Sequence, residues 1–375
     1  MRLLFILVIL FLTSFISCKP QTNNYDFKEV NKILLEAIEN RAFPGTEVLV
    51  SKNNRIIYEM AFGHLTYDEN SALVSNETIY DIASLTKVIA TTTCAMICYD
   101  RKLFNLDDPV AKYLPEFAVN KKENITIKNL LLHNSGLPAF RRYYDKYNSA
   151  EEVFNDIISL ELDYKTGTKT VYSDLGIIIL GKLIEVATGK KLDQFCEEEI
   201  FRPLQMNNTL FNPPDSLKYR IAPTEYDNYW RNRLVWGTVH DENASLLDGV
   251  AGHAGLFSTA EDISHLLQML INGGIYKGNR IINSETIQLF TTRSSTNSTR
   301  ALGWDTKSKY GSSAGDLFDL SSFGHTGFTG TSIWVEPTRK LFVIFLTNRV
   351  YPTRNNKKLY EIRPALHNAV IKSIE

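Results

Sequence analysis

Two stretches of strand-forming sequence stand at opposite ends of the chain and constrain its fold more than anything between them. Near the start, Thr46–Ser51 and Arg55–Met60 flank the turn Lys52-Asn53-Asn54. Near the end, Thr331–Glu336 and Leu341–Thr347 flank Pro337-Thr338-Arg339-Lys340. Runs rich in β-branched and aromatic residues, joined by turn formers, predict a hairpin at each end. Helical spacing accompanies both: Val30, Ile33, Leu34 and Ala37 share one face over Tyr25–Asn40, and a closing helix begins near Asn356. Between the hairpins helical patterns dominate, over Leu85–Tyr99, Ala150–Leu160, Leu175–Thr188, Leu192–Glu199 and Ala260–Ile271. No period of about 20 to 50 residues recurs, which excludes a solenoid or propeller. The expected fold class is α/β of the α+β type: an antiparallel sheet from both chain ends, flanked by helices, with a largely helical region inserted. A cleft between two such regions is where a site is expected.

Composition narrows the function. Lys+Arg number 41 against 42 Asp+Glu, giving a net charge of −1, with 44% hydrophobic residues. A balanced, ordinary globular composition excludes a disordered chain and a polybasic nucleic-acid binder. The first residues read as an export signal: Arg2, an apolar run Leu3–Leu12, then small and polar residues. That run is too short for a comfortable membrane span. Phe15-Ile16-Ser17-Cys18 resembles a bacterial lipobox, with Phe15 where Leu is usual; the alternative is an ordinary cleaved signal. The expected organisation is a signal peptide over 1–17 and a lipidated tether over 18–26. One domain then spans 27–375, its sheet part about 27–80 and 298–375 and its mainly helical part about 81–297. Cys18 is the expected lipid attachment, which makes the membrane a partner and the cell envelope the location. Cys94 and Cys98 sit one helical turn apart with parallel side chains, poor geometry for a disulfide, and read as core residues. No Cys/His spacing fits a metal site, so neither metal nor cofactor is expected.

Three short segments carry chemistry. Asp81-Ile82-Ala83-Ser84-Leu85-Thr86-Lys87 opens the strongest helical stretch. Ser84 in the first turn faces unpaired N–H groups, and Lys87 lies three residues on along the same face. A Ser-x-x-Lys pair alone is a weak signal, because a helix-capping serine can precede a lysine by chance. Tyr172-Ser173-Asp174 leads into a second helix, and His325-Thr326-Gly327 precedes a C-terminal strand. Together they supply a nucleophile, a proton carrier and a lined edge for an oxyanion.

In this order and spacing the chain resembles the class C β-lactamase-related serine hydrolases, closest to their weak penicillin-binding, carboxypeptidase-like branch. The resemblance runs from about Phe27 to Ala369. Further phrases carry it: Leu106–Pro115, Leu130–Pro138, Arg202–Met206, Trp236–Ala244, Gly252–Thr259 and Leu346–Val350. It implies a β-lactamase/transpeptidase-like fold, with Ser84 as nucleophile and Lys87 as its base or the base's electrostatic partner. It implies that Tyr172 relays the proton, that the N–H groups of Ser84 and Phe328 form an oxyanion hole, and that His325, Thr326 and Gly327 flank the substrate. Asp174 stands where Asn is commoner, and its carboxylate raises a neighbouring lysine pKa. Lys87 is therefore expected to stay protonated more of the time, with Tyr172 accepting or sharing the proton. His325 replaces a lysine, and a neutral imidazole attracts an anion little. Arg349 is then a candidate for a substrate carboxylate, against a plain surface salt bridge.

Other features read more blandly. Gly311–Gly315 matches Gly-x-Ser-x-Gly around Ser313, but its polar flanks favour a loop. His240, Asp241 and His253 are spaced too irregularly for a metal and would order the loop over the cleft. His133 reads as a hydrogen-bonded structural histidine. Tyr143, Tyr144 and Tyr147, with Arg141 and Arg142, either line an entrance or pack. The expected function is an exported serine hydrolase, a monomer without nucleic-acid partners. It would act on envelope peptides as a D,D-carboxypeptidase or D-peptidase, or in β-lactamase fashion. A small-ester esterase of the same fold and a non-catalytic envelope binding protein are the alternatives.

Overall fold

The computed structural model describes residues 25–295 and 298–375. The expected signal peptide and Cys18 lie outside the described residues. The first hairpin is β1 (Gly45–Lys52) and β2 (Arg55–Gly63). The C-terminal strands are β3 (Asp305–Thr306), β4 (Phe323–Thr326), β5 (Ser332–Glu336) and β6 (Leu341–Thr347). They join in one antiparallel sheet of order β3-β4-β5-β6-β1-β2. The two chain ends meet along β1 and β6, from Thr46 opposite Thr347 to Lys52 opposite Leu341.

Both faces of the central strands are buried, which is why β6 reads as an almost unbroken apolar run. Val48, Val50, Val343, Phe345 and Trp334 pack with α1 (Lys28–Glu39) and α6 (Leu359–Ile374). The alternate residues Leu49, Ile344, Leu346, Ile333 and Val335 join the core of the inserted region. There α5 (Ala260–Ile271) lies against β1 and β6. The period-2 alternation therefore fixes which face each layer covers. The described inserted region is largely helical, with α2 (Thr93–Asp100), α3 (Asp174–Thr188) and α4 (Leu192–Cys196). It also holds a small sheet that the sequence pattern did not announce, of Tyr80–Asp81, Leu256–Ser258 and Leu210–Phe211.

The expected continuous helix over Leu85–Tyr99 is broken into three kinds of turn. Ala83–Leu85 is 3₁₀, Lys87–Thr92 is π-helical, and α2 follows. Three residues per turn in the first segment stack position 87 over position 84, and π turns gather at functional sites. The Gly311–Gly315 stretch forms turns rather than a strand–helix elbow, and Ser313 Oγ accepts from Trp334 Nε1 at 3.2 Å. Among the described residues no helix is long and apolar enough to cross a membrane.

Candidate active site

Ser84 sits on a braced turn. The residue before it, Ala83, has φ +46°, a left-handed conformation that costs a non-glycine residue free energy and persists only when its surroundings hold it. The buried carboxylate of Asp81 does so, accepting from the Ala83 N–H at 2.8 Å and from the His240 N–H at 2.7 Å. No role for Asp81 was readable in sequence, because an aspartate before a helix looks like any turn residue.

Lys87 is buried, and its ammonium meets three acceptors. Nζ donates to Ser84 Oγ at 2.9 Å and to His253 O at 3.0 Å, and pairs with Asp174 Oδ1 at 2.8 Å. An ammonium has three donors and no acceptor, so this surrounding suits the charged form. Burial would lower the Lys87 pKa, but Asp174 and then Tyr172 carry it above its usual value. Asp174 is held as the first residue of α3. Ser173 caps that helix, its Oγ accepting from the Gly176 N–H at 3.2 Å and donating to Pro138 O at 2.7 Å. The Ser173 N–H donates to His133 Nδ1 at 3.1 Å, so Nε2 of His133 carries the proton.

The opposite wall is the turn after β4. Short β3 pairs only with Phe323 and Gly324, leaving His325 and Thr326 with one edge free along the cleft. The turn is tied to the segment before Ser84 by two hydroxyls: Thr329 Oγ1 to Asp81 O at 2.7 Å and Thr331 Oγ1 to Ile82 O at 3.1 Å. Gly327 lies so close that a Cβ there would stand 2.1 Å from Thr331 Oγ1 and 2.5 Å from Ile82 O. Buried Arg363 donates to Gly327 O at 3.0 Å and Thr331 O at 2.8 Å. Its bond to Gly327 O fixes the peptide plane whose other end is the Phe328 N–H, because that plane is rigid and trans. Arg349 holds the next carbonyl, with Nε at 3.0 Å and Nη2 at 2.6 Å from Phe328 O, and its Nη1 bonds the carbonyls of Arg354 and Asn356. Arg349 is thus buried and lines the Ser84 cavity, with four of its five N–H groups on backbone carbonyls and no surface salt bridge among the described residues.

Ser84, Tyr172, Arg300, Asp305, His325, Thr326, Gly327, Phe328, Arg349, Tyr360 and Arg363 line one cavity of about 280 Å³. Several of its polar atoms are buried without a partner among the described residues: Tyr172 Oη, Arg300 Nη1 and His325 Nε2. His133 Nε2, in the ring beside Tyr172, is likewise unpaired. Unpaired buried polar atoms are costly, and a cluster of them marks a place where a polar ligand completes the bonding. His325 Nδ1 lies 2.9 Å from Thr326 O and so carries the ring proton, leaving Nε2 as an acceptor. Burial, then Arg300 and Lys87, push the His325 imidazole well below its usual range, so it is neutral. Arg300, which the sequence reading passed over, stands with its guanidinium carbon 5.0 Å from the Tyr172 ring centre. No motif surrounds it; only the fold shows where it points.

A charged network packs against the Phe328 ring beside the cleft. Glu225 bonds His240 Nε2 at 3.0 Å and Arg354 Nε at 2.6 Å, Arg354 reaches Glu242 at 2.6 Å, and His240 stacks on Phe328. His253 pairs with Asp241 at 3.0 Å, so these histidines are engaged by carboxylates in separate pairs. Tyr143 is buried, while Tyr144 packs on Trp230 and Tyr147 bonds Asp156, which accounts for them as packing.

The arrangement sets a serine hydroxyl against a buried ammonium at the edge of one cavity. The Beta-lactamase family model matches residues 30–367, and the chain belongs to this family of serine hydrolases. It is 33% identical over 357 residues to an Escherichia coli (strain K12) protein named "Putative D-alanyl-D-alanine carboxypeptidase", covering 85% of this chain and 82% of that one. It is 35% identical over 369 residues to the N-acetylmuramyl-L-alanine amidase of Bacillus subtilis (strain 168), covering 88% and 83%. The fold is shared with a penicillin-binding protein homologue from Caulobacter crescentus, at TM-score 0.73 and 17% identity, over 92% of this chain and 97% of that one.

The charged network beside Phe328 has a pH signature. Burial would raise the Glu225 pKa, but hydrogen bonds from His240 and Arg354 bring it down from 4.5 to about 2. A depressed carboxyl stabilises the fold above its unfolded pKa and loses that contribution as pH falls through the folded one. Thermal unfolding should therefore show stability falling between pH 4.5 and about 2. Glu225→Gln should start less stable at pH 7 and lose less across that interval.

Proposed function

We propose that the protein is an exported serine hydrolase that forms an acyl-enzyme on Ser84 and cleaves envelope peptides ending in a carboxylate, as a D,D-carboxypeptidase does. The observation that carries this reading is Arg300, whose buried Nη1 is unpaired in the cavity that holds Ser84. A guanidinium fork matches a carboxylate, and a buried N–H of that fork without a protein partner is left for an anionic ligand. The names of the relatives, one a D-alanyl-D-alanine carboxypeptidase and one an N-acetylmuramyl-L-alanine amidase, support an amide bond to an alanine as the target. The leader-like residues before Cys18 and the lipobox-like Phe15–Cys18 support export and a lipid anchor at the envelope.

In this mechanism Ser84 Oγ attacks the scissile carbonyl, whose oxygen turns to the N–H groups of Ser84 and Phe328. Lys87 remains an ammonium, donating to Oγ and stabilising negative charge there. Tyr172 Oη relays the proton, taking the one from Ser84 as it hands its own to the departing amine; water then releases the acyl group. Asp174 keeps Lys87 charged, His325 and Thr326 flank the substrate backbone, and Arg300 receives its carboxylate. A small-ester substrate is the second reading, favoured by neutral His325 where a cation would draw an anion in.

Hydrolysis of a peptide ending in D-Ala-D-Ala, beside p-nitrophenyl acetate, tests the proposal. Release of terminal D-alanine should vanish in Ser84→Ala, and Arg300→Gln should raise KM for the peptide while sparing the ester. Fast ester turnover with no peptide cleavage would give the site to the esterase reading. Asp174→Asn should move the alkaline limb of kcat/KM to lower pH, because the lysine loses the carboxylate that raises its pKa. An unmoved limb would remove Lys87 from that role. Arg363→Met should lower kcat by about 10²-fold through a misplaced Phe328 N–H, with the protein still folded by circular dichroism.

A further inference from the structure

The described cysteines gather away from the cleft. Cys94 and Cys98 lie on α2 and Cys196 ends α4, all three buried with free thiols. Cys94 Sγ and Cys196 Sγ are 3.3 Å apart, across 102 residues of chain. Core packing accounts for burial of small apolar side chains, but not for two sulfurs brought head to head from separate helices. Reaching the 2.05 Å of a disulfide needs about 1.3 Å of further approach, within the reach of small side-chain rotations. Cys98 cannot bond Cys94 along one helix, so Cys94–Cys196 is the pair the packing selects.

We propose that Cys94 and Cys196 form a disulfide when the chain folds in an oxidising compartment, cross-linking α2 to α4. The oxidant is a disulfide-bearing partner, either a dithiol oxidase or oxidised glutathione. One cysteine thiolate attacks it, forming a mixed disulfide and releasing one oxidant thiol; the second cysteine displaces the other. The pair loses two protons and two electrons, and the oxidant disulfide becomes two thiols. Burial pushes the Cys94 thiol well up, so its thiolate is scarce once the helices have docked. The bond therefore closes during folding, as the helices dock and before the pair is sealed from solvent. A link across so long a loop restricts the unfolded chain strongly. It also anchors the helix whose preceding turns carry Ser84 and Lys87.

The full-length chain, produced in a bacterial host with an oxidising cytoplasm, is denatured with N-ethylmaleimide and digested without reductant. The expected result is a peptide pair joined through Cys94 and Cys196, with Cys98 alkylated. Dithiothreitol should lower the unfolding midpoint by several degrees in the wild type and Cys98→Ala, and leave Cys196→Ala unmoved. Alkylated Cys94 and Cys196, a Cys98–Cys196 link, or an equal response in Cys196→Ala would each overturn the proposal.

Discussion

A charged lysine buried in the interior organises this molecule. An ion out of water costs several kcal/mol unless its donors are met, so the Lys87 ammonium is tolerable only where acceptors converge. They come from separate segments: the Ser84 hydroxyl, the carbonyl of His253 and the carboxylate at the start of α3. Meeting the demand of one cation thus fixes three loops of the inserted region against one another. The same convergence sets the Ser84 hydroxyl 2.9 Å from a positive charge.

The other half of the site is built by neutral bonds and two arginines turned inward. Hydroxyls of Thr329 and Thr331 fasten the turn after β4 to the carbonyls of Asp81 and Ile82, so the distance between sheet and nucleophile segment is set by short contacts. Arg363 and Arg349 then hold successive carbonyls of that turn. Spending buried guanidiniums on backbone makes sense where an N–H must point at a developing charge without reorganising. Both arginines thus hold backbone at the cavity they line, while Arg300 keeps a buried N–H without a protein partner there.

Much of this was legible in sequence, for identifiable reasons. The hairpins at both ends could be read because strands buried on both faces are dense in β-branched and aromatic residues. Ser84, Lys87, Tyr172, Asp174 and His325 could be named together because their triplets fall in a recognisable order, and the structure brings them around one cavity. What stayed hidden depends on contacts between distant segments. The commitment of Arg349 to three carbonyls, the free hand of Arg300 and the meeting of Cys94 with Cys196 have no local pattern. The 3₁₀ and π turns around Lys87 were hidden for another reason: apolar spacing near 3.6 does not distinguish helical subtypes over one or two turns.

The central claim is that Lys87 works as an ammonium. Nitrogen-15 NMR of the lysine Nζ groups, with Lys87→Arg to assign the signal, tests it directly across a pH titration. A Lys87 resonance that keeps its ammonium shift beyond the pH at which exposed lysines titrate is the predicted result. A lysine that deprotonates near neutral pH would contradict the account and return the base's role to Lys87.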